Sequence, residues 1–274
     1  MDHAELAARF RALHQGPGLL VLANVWDALS AHVVASSGAR AIATASAALA
    51  WAHGQPDGEA MSLEAVISAV REIARSVSLP LTVDLETGWS DDPSAVVDAV
   101  TRVAEAGAVG VNLEDAAGPP ERLAEKLRAC KVNRATAHVF LNARTDVFLR
   151  ELASPERRLD EAIARLRRYE DAGADGLFVP KVVETSTICA ITEQTSRPLN
   201  LLAYPGIAPV AELAQLHVRR LSVGPKLAFA AMTAAKRACN ELFARGTYAR
   251  LFDSDLDFAT MNAFFASTRS HAGH

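Results

Sequence analysis

The sequence predicts an α/β protein built as a (β/α)8 barrel of the TIM type, and three observations carry that reading. Eight short apolar runs with strand character alternate with helical runs along the 274 residues. Such alternation implies parallel strands joined by right-handed crossovers. Eight repeats of the unit fit a closed barrel better than an open sheet. The steps Ser37-Gly38-Ala39, Ala106-Gly107-Ala108 and Ala172-Gly173-Ala174 each stand just before a strand. There Gly ends a helix in a left-handed conformation. No linker or low-complexity tract interrupts the series, so residues 1–274 are expected to form one domain.

The strands are expected at Leu19–Asn24, Ala41–Ser46, Leu81–Glu86, Gly110–Glu114, His138–Asn142, Gly176–Val179, Leu199–Ala203 and Arg219–Val223. The helices between them are expected at Ala28–Ser37, Ser62–Ser76, Pro93–Ala106, Pro120–Lys131, Pro155–Ala172, Thr185–Thr195 and Ala208–Leu216, with Lys226–Arg245 after the last strand. A leading helix, Asp2–His14, is placed to close the barrel bottom. A final helix over about 256–268 carries Phe258, Met261, Phe264 and Phe265. Three of these, Phe258, Met261 and Phe265, follow i, i+3, i+7 spacing and make an apolar stripe. The stripe needs a partner, either its own barrel or a neighbouring subunit.

Composition narrows the function classes. The chain is 50% hydrophobic and 22% charged, with a net charge of −4 and acids and bases mixed throughout. No basic block points to nucleic acid, and no polybasic anchor points to a membrane surface. No apolar run reaches the eighteen or more residues of a membrane span. The start, Met1-Asp2-His3-Ala4-Glu5, lacks a signal-peptide pattern, so a cytoplasmic location is expected. Cys130, Cys189 and Cys239 lie far apart, which argues against a disulfide framework or a zinc site.

The chemistry gathers at the expected C-terminal ends of the strands, where barrels of this type place their active sites. Asp84-Leu85-Glu86-Thr87-Gly88 closes the third strand, and i, i+2 alternation would aim Asp84 and Glu86 to one side. The fourth strand ends in Glu114-Asp115 and the fifth in Asn142, Arg144 and Asp146. One acidic strand end reads as a helix cap. Two of them, with an Arg-Thr-Asp beyond, read as a site for a hard divalent cation, which takes oxygen ligands. The other strand ends add Trp26 beside Asn24 and Asp27, then Thr44-Ala45-Ser46, then Lys181, Asn200 and Tyr204. An acid-rich half opposite an arginine resembles a metal site beside an anion site. A cation there would stabilise the enolate formed when a bond next to a 2-oxo acid carbonyl breaks. Arg144 offers a planar fork for a carboxylate. The small residues Ala45 and Ser46 would let backbone N–H groups approach an anion. His53 reads as a solvated loop residue and Trp26 as either a stacking surface or packing. Lys181 admits three readings: a charged gate, a general base, or an ion-pair partner of Glu184.

These residues are similar to those of the isocitrate lyase/phosphoenolpyruvate mutase superfamily. The resemblance rests on Asn24-Val25-Trp26-Asp27-Ala28-Leu29-Ser30-Ala31, Thr44–Ser46 with Gln55-Pro56-Asp57, and Asp84–Gly88. It continues through Gly110–Asp115, Asn142–Asp146 and Ala172–Phe178, in family order over about residues 20–235. It implies a Mg²⁺-dependent barrel, with Mn²⁺ as an alternative ion, acting on 2-oxo acids or their C–C or C–P adducts. The implied metal set is Asp84 directly, with Glu86, Glu114 and Asp57 mainly through water. Arg144 and Glu114 are the implied catalytic pair. Substrate contact falls to Trp26, Thr44, Ala45, Ser46, Asp84, Arg144, Lys181 and Asn200. The resemblance also implies a homo-oligomer, dimer or tetramer, that exchanges its C-terminal helix.

The chain departs from the pattern of this superfamily in the loop after the fourth strand. Its lyases carry Lys-Lys-Cys-Gly-His there, with the Cys as proton donor; here Asp115–Arg122 has no Cys, Lys or His. The expected function is a lyase, decarboxylase or hydrolase acting through a metal-stabilised enolate. Decarboxylation of oxaloacetate-like acids requires the fewest residues. The alternatives are a 2-oxo-acid-binding protein with impaired catalysis, and an unrelated phosphate-handling or Schiff-base aldolase barrel using Lys181.

Overall fold

The structure is a computed structural model that describes residues 2–16 and 18–266. After the opening helix α1 (His3–Gln15) come β1 (Leu20–Leu22), β2 (Asn24–Val25), α2 (Ala28–Ser36), β3 (Ile42–Thr44) and α3 (Ser46–Ala52). The chain continues with α4 (Leu63–Ser76), β4 (Leu81–Asp84), α5 (Pro93–Glu105), β5 (Gly110–Glu114) and α6 (Pro120–Val132). Then follow β6 (Phe140–Arg144), α7 (Arg158–Asp171), β7 (Gly176–Val179), α8 (Thr185–Gln194) and β8 (Leu199–Leu202). The last elements are α9 (Val210–Gln215), β9 (Val218–Ser222), α10 (Lys226–Arg245) and α11 (Phe258–Ala266).

All strands are parallel, in the order β1-β9-β8-β7-β6-β5-β4-β3-β2. The nine strands are eight barrel staves, because the first expected strand is broken at Ala23 into β1 and β2. β1 pairs with β9, whereas β2 pairs with β3. Asn24 bridges the seam between them. Its Oδ1 accepts the N–H groups of Val223 and Gly224 at 3.0 and 2.9 Å, and its Nδ2 donates to Thr44 O at 2.7 Å. A side chain here does the work of backbone pairing, which a break in a strand otherwise leaves undone.

Apolar periodicity explains the outer layer. In α4, Ser62 caps the start through the Ala65 N–H, and Val66, Ile67, Val70 and Ile73 line the buried face. In α5, Asp92 caps and Pro93 takes the first turn, where its missing N–H costs nothing. These faces and the outward sides of the strands form one large core. A second core, Phe10, Leu20, Leu22, Val109 and Phe140 with Leu6 and Leu13, packs α1 under the barrel as the sequence anticipated.

Two elements differ from expectation. The segment after β3 turns into α3 at once, because Ala47, Ala48, Leu49 and Ala50 are all buried and strong helix formers. The last helix begins at Phe258 rather than 256, and residues 267 and 268 of the expected span lie outside the described residues. α11 rests on α2, with the His32 ring 5.4 Å from Phe264 and 4.8 Å from Phe265. Phe258 is 85% exposed. Among the described residues no helix is long and apolar enough to cross a membrane.

Candidate active site

Asp84, Glu114 and Arg144 are the last residues of β4, β5 and β6. Three neighbouring staves therefore deliver two acids and one guanidinium to one end of the barrel. The register sets Glu114 opposite Arg144, and Asp84 opposite Asn112.

β4 stops at Asp84, so strand alternation does not govern Glu86. The chain instead enters a turn in which Glu86, Gly88 and Trp89 have φ of +46°, +92° and +58°. Backbone bonds fix it: Leu85 N–H donates to Asn112 O at 3.1 Å, and Glu114 N–H donates to Glu86 O at 2.8 Å. A Cβ on Gly88 would meet both methyls of Val96 at 3.1 Å, so only Gly allows this approach. The turn still brings Glu86 to Asp84, because the two share one small cavity with Ser46, Glu59 and Trp89. Left-handed non-Gly backbone is strained and gathers at working sites.

Glu59, absent from the expected set, ties the α3–α4 loop to this turn. Its Oε1 accepts from Thr87 N–H at 3.0 Å, Thr87 Oγ1 at 2.6 Å and Trp89 N–H at 3.1 Å. In return Glu59 N–H donates to Glu86 Oε1 at 3.0 Å. Lys126 of α6 donates to Thr87 O at 2.9 Å. Asp57, exposed on the same loop, lies close enough for its charge to act on Glu86.

The acids resist holding their charges together. Burial, with further contributions from Asp84, Asp57 and Glu59, raises the Glu86 pKa to about 7, against the Glu59 N–H bond that favours the carboxylate. Burial also raises Glu114, opposed by Arg144 and reinforced by Asp84, Asp146 and Glu86. Asp84 Oδ1 is buried with no hydrogen-bond partner. Crowded carboxylates and an orphaned carboxylate oxygen are the pattern that a hard cation relieves. The donor set therefore fits Mg²⁺ or Mn²⁺. Among the described residues no group of three or more His, Cys, Asp and Glu side chains is arranged to hold a metal ion by itself. Mg²⁺ needs none, since it keeps several waters and is held by one or two carboxylates.

Arg144 is engaged more fully than its expected substrate fork implies. Nε and Nη2 grip Asp146 at 2.7 and 3.2 Å, and Nη1 meets Glu114 Oε2 at 2.7 Å. Its guanidinium carbon stands 5.6 Å from the centre of the Phe178 ring. Burial works against its charge, but Glu114, Asp146 and Asp84 hold its pKa above the ordinary guanidinium value. Two N–H donors of the five remain for a ligand. Asp146 is itself held by Arg150 at 2.9 Å, and its N–H donates to Asp115 Oδ1 at 2.9 Å. Asp115 in turn accepts from Arg165 at 3.0 Å and from Tyr169 at 2.6 Å. The chain of contacts fixes Arg144 through α7, a support that neighbouring sequence does not reveal.

The remaining expected residues divide into two groups. Thr44 ends β3, and its Oγ1 accepts the Asp84 N–H at 3.0 Å. Ala45 precedes α3 without a side-chain cap, Ser46 opens it, and Trp26 packs on Ala45, Ala48 and Ala228. These stand beside the acids. Asn200 lies deeper, buried in the barrel with its Nδ2 unpartnered. Lys181 sits on the rim at φ +67° and pairs at 3.5 Å with Glu151, not with Glu184. His53 bonds Leu49 O at 2.9 Å and is exposed.

Beneath the acids lies Arg220 of β9, also absent from the expected set. It is 1% exposed, and its Nη2 donates to Asn112 Oδ1 at 3.1 Å. Asn142 Nδ2 donates to the same oxygen at 2.9 Å. Burial lowers the Arg220 pKa to about 9, and Asp84 supplies the compensating charge. The sequence offered one signal: a pair of arginines, Arg219-Arg220, in a strand, where alternation must turn one of them inward.

The chain as a whole is similar to known proteins. A family model described as phosphoenolpyruvate phosphomutase matches residues 10–243. A crystal structure from Burkholderia cenocepacia J2315, provisionally named a lyase/mutase, is 35% identical with a TM-score of 0.86, covering 96% of each chain. An oxaloacetate decarboxylase from Pseudomonas aeruginosa is 30% identical over 241 residues, 85% of this chain and 84% of that one. A phosphonopyruvate hydrolase solved in complex with oxalate and Mg²⁺ shares the fold, with a TM-score of 0.85 at 23% identity and coverage of 99% and 98%.

Proposed function

Because the chain belongs to the phosphoenolpyruvate phosphomutase family, we propose that it is a divalent-metal-dependent lyase-type enzyme that cleaves a bond beside the carbonyl of a 2-oxo acid. The observation that carries this reading is the meeting of Asp84, with its unpartnered Oδ1, Glu86, Glu114 and Arg144 at adjoining strand ends. Asp84 would hold the cation directly, and Glu86, Glu114 and Asp57 would hold it through water. When bound, the ion acts as a Lewis acid on the carbonyl and carboxylate oxygens of the substrate.

The residues of the chain do the rest. The N–H and hydroxyl groups at Thr44, Ala45 and Ser46 receive the substrate carboxylate. The free donors of Arg144 face the oxygen on which negative charge develops as the bond breaks, and Asp146 keeps the guanidinium in place. In decarboxylation the electron pair of the broken C–C bond passes to that oxygen, CO₂ leaves, and a solvent proton completes the product. This needs no proton donor from the loop after β5, and Asp115–Arg122 holds no Cys, Lys or His. An oxaloacetate decarboxylase among the relatives agrees with the assignment. A Schiff-base mechanism at Lys181 is disfavoured, because its amine is ion-paired at the rim rather than held in an apolar pocket.

Turnover tests the reading. Incubation with oxaloacetate and Mg²⁺ is expected to form pyruvate well above the rate of Mg²⁺ alone, with the excess abolished by EDTA. A panel of 2-oxo acids that includes phosphonopyruvate, run beside branched malate-type 2-hydroxy acids whose cleavage would release a 2-oxo acid, then fixes which bond is cut. Binding without any turnover across the panel would make the protein a 2-oxo-acid binder. Neither binding nor turnover would reject the proposal.

A further inference from the structure

A cavity of about 450 Å³ opens at the other end of the barrel, away from the acids. Its walls come from α1 and from the segments that lead into β7, β8 and β9: Arg11 and His14 on one side, Asp175, Arg197, His217 and Arg219 on the other. Those segments feed the N-terminal ends of the strands, so the barrel core separates this cavity from the active site.

The charges around it do not balance. Three guanidinium groups face a single carboxylate, and that carboxylate is already spoken for. Asp175 binds Arg11 at 2.8 Å, Lys131 at 2.5 Å and the Leu141 N–H at 2.8 Å. The side chains of Arg197 and Arg219 have no ion-pair or hydrogen-bond partner among the described residues, although both stand at the cavity wall. Two arginine side chains without partners in one concave polar site leave their donors open to an anion.

Guanidinium forks match the oxygens of phosphate and carboxylate, and two of them suit a dianion better than a monoanion. The volume lies in the range of small-metabolite pockets, roughly 300–1,000 Å³. We propose that this cavity binds a small phosphate-bearing polyanion between Arg197, Arg219 and α1, at a site independent of the active site. Such a ligand bridges α1 to the ends of β8 and β9 and so stabilises the folded chain.

Pyrophosphate is the probe, titrated calorimetrically with EDTA present and ionic strength held constant, so that metal-dependent capture by the acids is excluded. Citrate in a parallel titration separates phosphate preference from general polyanion binding. Saturable binding of pyrophosphate is expected, about tenfold or more weaker in Arg197→Ala and in Arg219→Ala, and lost in the double variant. Arg197 is exposed and Arg219 half-buried, and circular dichroism checks that each variant folds. Binding is expected unchanged in Asp84→Asn. Absence of saturable binding would overturn the proposal, as would full retention in the double variant, loss in Asp84→Asn, or tighter binding of citrate.

Discussion

Arg144→Ala is expected to lower the stability of the protein by roughly 3–5 kcal/mol and to abolish turnover. The size of the effect follows from what the arginine leaves behind. Glu114 and Asp146 are 8% and 0% exposed at their side chains, and each is within 2.7 Å of the guanidinium. Removing one partner of a buried ion pair strands the other charge, which costs about 3–5 kcal/mol. Here two carboxylates are stranded, although Arg150 still holds Asp146. Arg144→Lys separates charge from geometry, since an ammonium cannot grip Asp146 with two parallel bonds and reach Glu114 as well. It is expected to recover part of the stability and little of the activity. Urea unfolding midpoints beside turnover rates check both. A loss of stability under about 1 kcal/mol in Arg144→Ala would mean that the buried network has little weight.

Asp84→Asn is expected to behave in the opposite way: activity falls by about 10³-fold or more, the scale of several kcal/mol of Lewis-acid stabilisation, while the fold is hardly touched. Asp84 is repelled by Glu86 and Glu114 and attracted by Arg144 and Arg220. Neutralising it removes both sets, and the net change in stability is expected to stay within about 1 kcal/mol. The shape and the hydrogen bond from its N–H to Thr44 Oγ1 are retained. A variant that unfolds would show that Asp84 is structural; one that keeps its activity would show that it is no metal ligand.

Much of this site was legible because strand ends are marked locally. Acids closing two short apolar runs, and an Arg-Thr-Asp just past a third run expected to end at Asn142, put Asp84, Glu114 and Arg144 forward before any contact was known. The barrel was legible for the same reason, since the alternation of strands and helices survives in a linear reading. What failed were inferences that depend on partners far away in sequence. Alternation placed Glu86 beside Asp84 through a continuing strand, whereas tertiary bonds from Glu59 and Glu114 fold it into a left-handed turn. The fork of Arg144 looked open to a ligand, but Asp146 holds it, and the support for Asp146 reaches through Asp115 to Tyr169. Lys181 found Glu151 thirty residues away instead of the nearby Glu184. Arg220 sat beside Arg219 in a short strand, and its role depends on Asn112 from the far side of the barrel. The break at Ala23 needed knowledge that Asn24 could bridge to Val223 and Gly224.

The central claim is that the strand-end acids hold a cation which in turn holds a 2-oxo acid. Oxalate tests it most directly, because its two adjoining carboxylates resemble the enolate of a 2-oxo acid and it cannot be decarboxylated in the same way. Calorimetric titration with oxalate is expected to show saturable binding with Mg²⁺, at least about 100-fold weaker in EDTA and absent in Asp84→Asn. Oxalate binding of equal strength without the metal, or undiminished in Asp84→Asn, would contradict the account.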